Sequence, residues 1–175
     1  MNRARLLASC AVMISLTTAA RGQTPIREFS LAVGASQYDA SGTGTAPMGA
    51  FRYSAPIVGR WLLGDLSLSY ASLDEQFSTS NTHVGVVEGQ VQAQLPFNSV
   101  RPYIGVGGGW LHYFSNAAGR PATGQTASGS VGLRIPVASA LIVRGEMRLR
   151  MWESGRNQGL HNNAAEFTAG LGFAF

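Results

Sequence analysis

The chain has 175 residues, with 13 Lys and Arg, 9 Asp and Glu, 22 Gly and one Cys. That length suits one domain, and a lone cysteine excludes a disulfide framework. The formal charge of +4 points to an anionic partner such as nucleic acid only until the first residues are read separately.

Met1 to Gly22 carries Arg3 and Arg5, an apolar stretch from Leu6 to Leu16, and then the small residues Thr18, Ala19, Ala20 and Gly22. This is the layout of a cleaved secretory signal peptide. Cleavage after Ala20 or Gly22 satisfies the small-residue rule, and Ala20-Arg21-Gly22 favours the second. The expected division is therefore a signal peptide over 1–22 and one mature domain over 23–175. Loss of Arg3, Arg5 and Arg21 leaves ten basic against nine acidic residues and a charge of +1, so no basic surface remains to hold phosphates and no nucleic-acid partner is expected. Cys10 leaves with the leader. Leu7-Ala8-Ser9-Cys10 resembles a lipidation signal, but the apolar core before it is shorter than the about 7 to 15 residues a leader needs and visibly continues past Cys10. The mature chain has no apolar run of about 18 residues, so no helical membrane span is available.

Segments of period two follow. Glu28 to Tyr38 sets Phe29, Leu31, Val33 and Ala35 against Glu28, Ser30, Ala32, Gly34 and Ser36, and alternate side chains of a strand face opposite ways. Asp39 to Pro47 reads as a loop. Met48 to Ile57 puts Phe51, Tyr53, Ala55 and Ile57 opposite Ala50, Arg52 and Ser54, and Val58 to Arg60 is a tight turn. The third segment opens at Trp61, with Leu62, Leu66, Leu68 and Tyr70 opposing Asp65, Ser67, Ser69 and Ala71. After a polar loop from Asp74 to Thr82, the residues Val87, Val91, Ala93 and Leu95 alternate with Glu88, Gln90, Gln92 and Gln94.

A short turn from Pro96 to Arg101 leads into Pro102 to Phe114, where Ile104, Val106, Trp110 and Phe114 share a face with Gly105, Gly107 and Gly109 behind it. Glycines there leave room for long neighbouring side chains. Ser115 to Gln125 reads as a loop, after which Ala127, Val131, Leu133, Ile135 and Val137 oppose Ser128, Ser130, Gly132 and Arg134. Beyond a turn at Ala138 to Ala140, Val143, Met147, Leu149 and Met151 oppose Arg144, Glu146, Arg148 and Arg150. Ser154 to Ala164 reads as a fourth loop. The last segment places Phe167, Ala169, Leu171, Phe173 and Phe175 against Glu166, Thr168, Gly170, Gly172 and Ala174.

The eight segments are joined by connections that alternate long and short, with both chain ends on the short side, as in transmembrane barrels with short periplasmic turns and longer outer loops. One face of every segment is apolar. The other collects Arg52, Asp65, Glu88, Arg134, Arg144, Glu146, Arg148, Arg150 and Glu166, together with Glu28. A water-soluble eight-stranded barrel turns its apolar face inward, and these charges cannot line an apolar cup. The pattern predicts an all-β, antiparallel, up-and-down transmembrane barrel with the charged face inside. Aromatic residues near strand ends are expected in two interfacial girdles: Trp61, Phe97, Tyr103, Phe173 and Phe175 on one side, and Tyr38, Tyr70, Trp110, Tyr113, Trp152 and Phe167 on the other.

The mature chain resembles the small OmpA-, OmpX- and opacity-type barrels of bacterial outer membranes. The likeness rests on the leader, the eight alternating segments, the stretch Arg101-Pro-Tyr-Ile-Gly-Val-Gly-Gly-Gly-Trp110 and the terminal Phe175. It implies that Phe167, Leu171, Phe173 and Phe175 form the signal read by the outer-membrane assembly machinery, and that membrane lipid and lipopolysaccharide surround a monomer in the cell outer membrane. The sequence ends at Phe175, where the larger OmpA proteins continue into a peptidoglycan-binding domain.

An eight-stranded bore is filled by its own side chains, so the five inward arginines and five inward acids are expected to cross-pair into a plug, with Gln90, Gln92 and Gln94 taking spare hydrogen bonds. A narrow ion channel through the same residues is one alternative, and a lipid A-modifying enzyme is another. Barrels of the deacylase type carry His-x-Ser on the seventh strand; the comparable stretch here is Trp152-Glu153-Ser154, and Glu166 falls on the inward face. A serine without a base is a poor nucleophile, so no catalytic residue and no cofactor are expected. His83, His112 and His161 lie toward the loop side with no cysteine beside them, and the strand pairing is expected to offset His83 from His112 by several residues, so no metal site is expected. The resulting expectation is a structural or surface-interaction protein.

Overall fold

The computed structural model describes residues 27–38, 44–73, 82–95, 97, 99–114, 123–154 and 157–175. The expected leader, its cleavage point and Asp39 lie outside them. Eight strands follow in order: β1 (Glu28–Tyr38), β2 (Gly44–Val58), β3 (Leu62–Leu73), β4 (Thr82–Gln94), β5 (Arg101–Tyr113), β6 (Thr123–Pro136), β7 (Leu141–Ser154) and β8 (Asn157–Ala174). Each pairs antiparallel with its neighbours in sequence, and β8 returns to β1 to close the barrel.

Closure follows from the dyad at both ends of the chain. Phe29 stands opposite Phe173, and Leu31 opposite Leu171. Beyond the last ladder pair, Arg27 and Phe175 exchange both backbone hydrogen bonds at 3.1 and 2.9 Å. The Phe175 ring stacks on Phe29, 5.4 Å between centroids, and Phe29 also meets Phe51 and Tyr53. A sheet closed this way has no unpaired edge along the seam, which is the condition for placing strands in lipid.

The sorting of side chains decides which face is which. Leu31, Val33 and Val106 are 67, 73 and 70 % exposed, whereas Arg144 and Arg148 are 1 % exposed. A monomer in water does not display a continuous apolar belt of this size, because patches above a few hundred Å² are rare. Lipid is the solvent that fits. Among the described residues no helix is long and apolar enough to cross a membrane, and the strands do the crossing.

Strand ends extend further than polar composition suggests. Gly44–Pro47 belongs to β2 and Thr123–Gln125 to β6. The expected fourth loop, Ser154 to Ala164, is mostly strand: β8 begins at Asn157, and Ser154 pairs with Asn157 across register shifts at Glu153. Residues rich in Ser, Asn and Gly lie beyond the lipid belt, where a ladder still forms but neither face needs apolar side chains. At the other end, Gly59 has a φ of 54°, the left-handed geometry a tight hairpin needs, and the β2–β3 register shifts between Pro56 and Val58. Proline cannot donate to a ladder, so it sits at such an irregularity.

The charged lumen as candidate functional site

The bore is divided along its length. Toward the end opposite the β2–β3 turn, Val84 and Val86 of β4, Leu111 of β5, Trp152 of β7 and Ala164 of β8 form an apolar cluster, with Tyr113 packed against it. The middle and the short-turn half hold the charges. Arg52, Asp65, Glu88, Arg134, Arg144, Glu146, Arg148, Arg150, Glu166 and Glu28 are all buried.

Glu146 is the hub. Its carboxylate meets Arg144 at 2.8 Å, Arg148 at 2.9 Å and Arg52 at 3.1 Å, and it accepts a 2.5 Å hydrogen bond from the Tyr103 hydroxyl. Tyr103 lies under two guanidiniums, Arg134 at 4.3 Å and Arg144 at 5.1 Å from its ring centre, an arrangement in which the ring face attracts cations. Glu88 holds Arg148 at 2.5 Å and Arg150 at 3.0 Å, and Arg150 also pairs with Glu166. Arg134 pairs with Glu28 at 3.0 Å and donates to Gln92 and Gln94 at 2.6 and 2.9 Å. Gln90 bridges Ser128 and Ser130 of β6.

Several of these contacts cross the bore. In a ring of eight strands β3 and β7 stand opposite each other, four strands apart in either direction. Arg144 of β7 nevertheless reaches Asp65 of β3 at 2.9 Å, and Arg148 donates to Ser67 of β3 at 3.0 Å. β2 and β6 are likewise opposite, and Arg134 donates to Ser54 at 3.1 Å. Ser54 in turn donates to Asp65 at 2.6 Å. Long arginines reach across because the side chains they meet on the far wall, Ser54, Asp65 and Ser67, are short. Gly107 and Gly109 of β5 have no space for even a methyl group, since an added Cβ would run into the backbone carbonyls of Gly89 and Val87 on β4. A Cβ on Gly132 would strike the Tyr103 ring.

At the short-turn mouth the charges are not balanced. Arg60 follows Gly59 in the turn, is 9 % exposed, and forms no ion pair among the described residues. Burial holds its guanidinium pKa below the ordinary arginine value. Arg101, the first residue of β5, is half-buried, and its Nε donates to the Phe97 carbonyl at 3.3 Å.

Three of the expected girdle residues belong inside. Tyr103 is buried in the charge network, Trp152 in the apolar cluster, and Tyr113 packs on that cluster. Parity decides these positions: Tyr103 and Tyr113 share the face of Gly105, Gly107 and Gly109, and Trp152 shares that of Arg150. Tyr70, Phe97, Trp110, Phe167, Phe173 and Phe175 do point outward. The histidine offset also needs correction. The Phe114 amide bonds the His83 carbonyl and Gly85 stands opposite His112, so His83 and His112 lie two positions apart. His83 stacks on Tyr70 and His112 meets the edge of Phe114. Among the described residues no group of His, Cys, Asp and Glu is arranged to hold a metal ion. The side chain of His161 lies outside the described set.

Residues 6–175 match the family described as outer membrane protein beta-barrel domain. The chain belongs to that family. Solved structures of similar fold include Neisserial surface protein A (NspA), with a TM-score of 0.69 at 12% identity over 87% of this chain and 100% of that one. Ail, the attachment invasion locus protein of Yersinia pestis, solved with the heparin analogue sucrose octasulfate, has a TM-score of 0.58 at 12% identity, over 87% of this chain and 100% of that one. The outer membrane enzyme PagL has a TM-score of 0.57 at 16% identity, over 83% of this chain and 97% of that one. No curated protein matches the sequence. Membership of an outer-membrane barrel family places the protein in the outer membrane, and identities this low establish a shared fold alone. Barrels of this kind keep their short turns in the periplasm, so the apolar cluster lies at the outer end of the bore and Arg60 and Arg101 at the periplasmic mouth.

Proposed function

We propose that this outer-membrane barrel is a non-enzymatic, non-conducting protein with a structural or surface-interaction role, its bore closed by the Arg/Glu network. The observation that carries the reading is the 2.9 Å contact between Arg144 and Asp65 on opposite walls. A charged pair joined across an eight-stranded bore supports a filled lumen over an open one, and the apolar cluster above it favours the same reading. Moving Arg144 aside takes from Asp65 its nearest cation, and disrupting a buried pair costs about 3–5 kcal/mol. Spontaneous opening is correspondingly rare.

The fold is shared with an outer membrane enzyme as well as with surface proteins, so the chemistry of this chain's own residues carries the choice. Glu166, the acid on β8 downstream of Ser154, is 3 % exposed and engaged by Arg150. Lipid A cannot reach it through the barrel wall. The outer rim, formed by strand ends that outrun the lipid belt, is the surface available to partners. The leader over 1–22 and assembly through Phe167, Leu171, Phe173 and Phe175 complete the reading: export, recognition of the closing strand, and insertion as a monomer surrounded by lipid and lipopolysaccharide. Two experiments test it. Planar-bilayer recordings should be silent, and steady single-channel conductance in the wild type would overturn the plug. Purified barrel incubated with lipopolysaccharide should leave its acyl pattern unchanged by mass spectrometry, and loss or gain of an acyl chain would establish an enzyme.

A further inference from the structure

The unbalanced arginines at the periplasmic mouth lie beside a small cavity of about 20 Å³ lined by Arg60, Arg101, Arg134, Glu28, Gln94 and Ser54 among others. Glu28 is the acid of this group, and its Oε2 is committed to Arg134 at 3.0 Å. Among the described residues Arg60 and Arg101 form no ion pair. Their positions are fixed by the fold: the Gln94 amide donates to the Arg60 carbonyl at 3.1 Å, which ties the β2–β3 turn to β4, and Arg101 stands directly opposite Arg134 in the β5–β6 ladder. Like charges opposite each other in a sheet destabilise it, so the Arg101–Arg134 pairing is kept at a cost to stability.

We propose that the periplasmic mouth of the barrel is a binding site for a small oxyanion, a carboxylate or phosphate group, held by Arg60 and Arg101. Two guanidinium forks offer paired N–H donors matched to the oxygens of either group. A cavity of about 20 Å³ holds little more than one water-sized group, since a water needs at least about 10–15 Å³. The ligand therefore inserts one or two oxygens, and the rest of it stays in the periplasm. Leu63 and Ile142 complete the lining of the site. A soluble anion, or one carried on a periplasmic molecule, reaches it directly, while a phosphate anchored in the surrounding leaflet would have to bend over the rim.

Calorimetric titration of the barrel in zwitterionic phospholipid vesicles, with inorganic phosphate and separately with acetate, tests this. Saturable binding of at least one anion in the millimolar range is expected. Arg60→Gln and Arg101→Gln should each weaken it about tenfold or more, as loss of a charge-assisted hydrogen bond does. Arg60→Lys, which keeps the charge, should retain part of the affinity, and Glu28→Gln should strengthen binding by removing the repelling carboxylate. Circular dichroism verifies that each variant is folded. Absence of saturation up to about 100 mM of either anion, a range far weaker than millimolar affinity, would overturn the site. So would binding indifferent to Arg60 and Arg101. Binding of the soluble anion abolished when anionic lipid is added to the vesicles would reassign the pair to headgroup capture and overturn the soluble-ligand proposal.

Discussion

Glu146→Gln is the most informative single perturbation of the lumen. The substitution keeps size and shape and removes one charge, so packing stays constant while Arg52, Arg144 and Arg148 lose their shared partner at 3.1, 2.8 and 2.9 Å. Arg144 retains Asp65 and Arg148 retains Glu88, but Arg52 has no other acid within ion-pair distance among the described residues. Removing one member of a buried pair costs about 3–5 kcal/mol. With a urea dependence of about 1–3 kcal/mol per molar, the unfolding midpoint in phospholipid vesicles should fall by about 1 M or more. The double variant Glu146→Gln with Arg148→Gln restores charge balance and should be more stable than the two single effects predict, by a coupling of about 0.5–3 kcal/mol. A single-variant effect below about 0.5 kcal/mol, the range of ordinary surface changes, or strict additivity in the double variant, would refute the view that these contacts act as one network.

Other consequences are sharper in direction than in size. Gly107→Ala should prevent correct folding or reduce stability strongly, because its Cβ meets the Gly89 carbonyl and Gln90 backbone of β4; Gly89→Ala, whose Cβ meets nothing within 4 Å, should be nearly neutral in the same refolding assay. Val106→Arg places a charge on the lipid face and should destabilise by up to about 2–4 kcal/mol, depending on its depth in the bilayer, measured by the same urea titration. Tyr103→Phe removes one hydrogen bond from each of Glu146 and Arg144 and should cost about 1–3 kcal/mol. A girdle position would tolerate that change.

The architecture was legible in the sequence because both solvents of the barrel impose the same period. Lipid demands Leu31, Val106 and Leu149 outside, a filled bore demands Ser30, Gly107 and Arg148 inside, and every strand therefore carries the alternation twice over. Tyr103, Tyr113 and Trp152 were misplaced because distance from a strand end was read ahead of parity, and only parity reports the face. Strand ends were misread for a different reason. Beyond the lipid belt, water solvates both faces, so the segment Asn157–Asn163 looks like loop although its backbone pairs with β7. The cross-bore contact of Arg144 with Asp65 had no local signature at all, since it depends on strands four places apart in the ring. Arg60 was hidden similarly: a turn residue carries no dyad, and its burial comes from neighbours contributed by other hairpins.

Site-directed spin labelling at Val106, Val131 and Ser130 tests the placement of the two faces most directly. Single cysteines can be introduced into a chain refolded without its leader, where no native cysteine remains. In lipid vesicles, labels at Val106 and Val131 should collide freely with dissolved oxygen and scarcely with a water-soluble nickel reagent, and a label at Ser130 should meet neither. A label at Val106 open to the nickel reagent, with Ser130 exposed to oxygen, would contradict an inward charged lumen and an outward apolar belt.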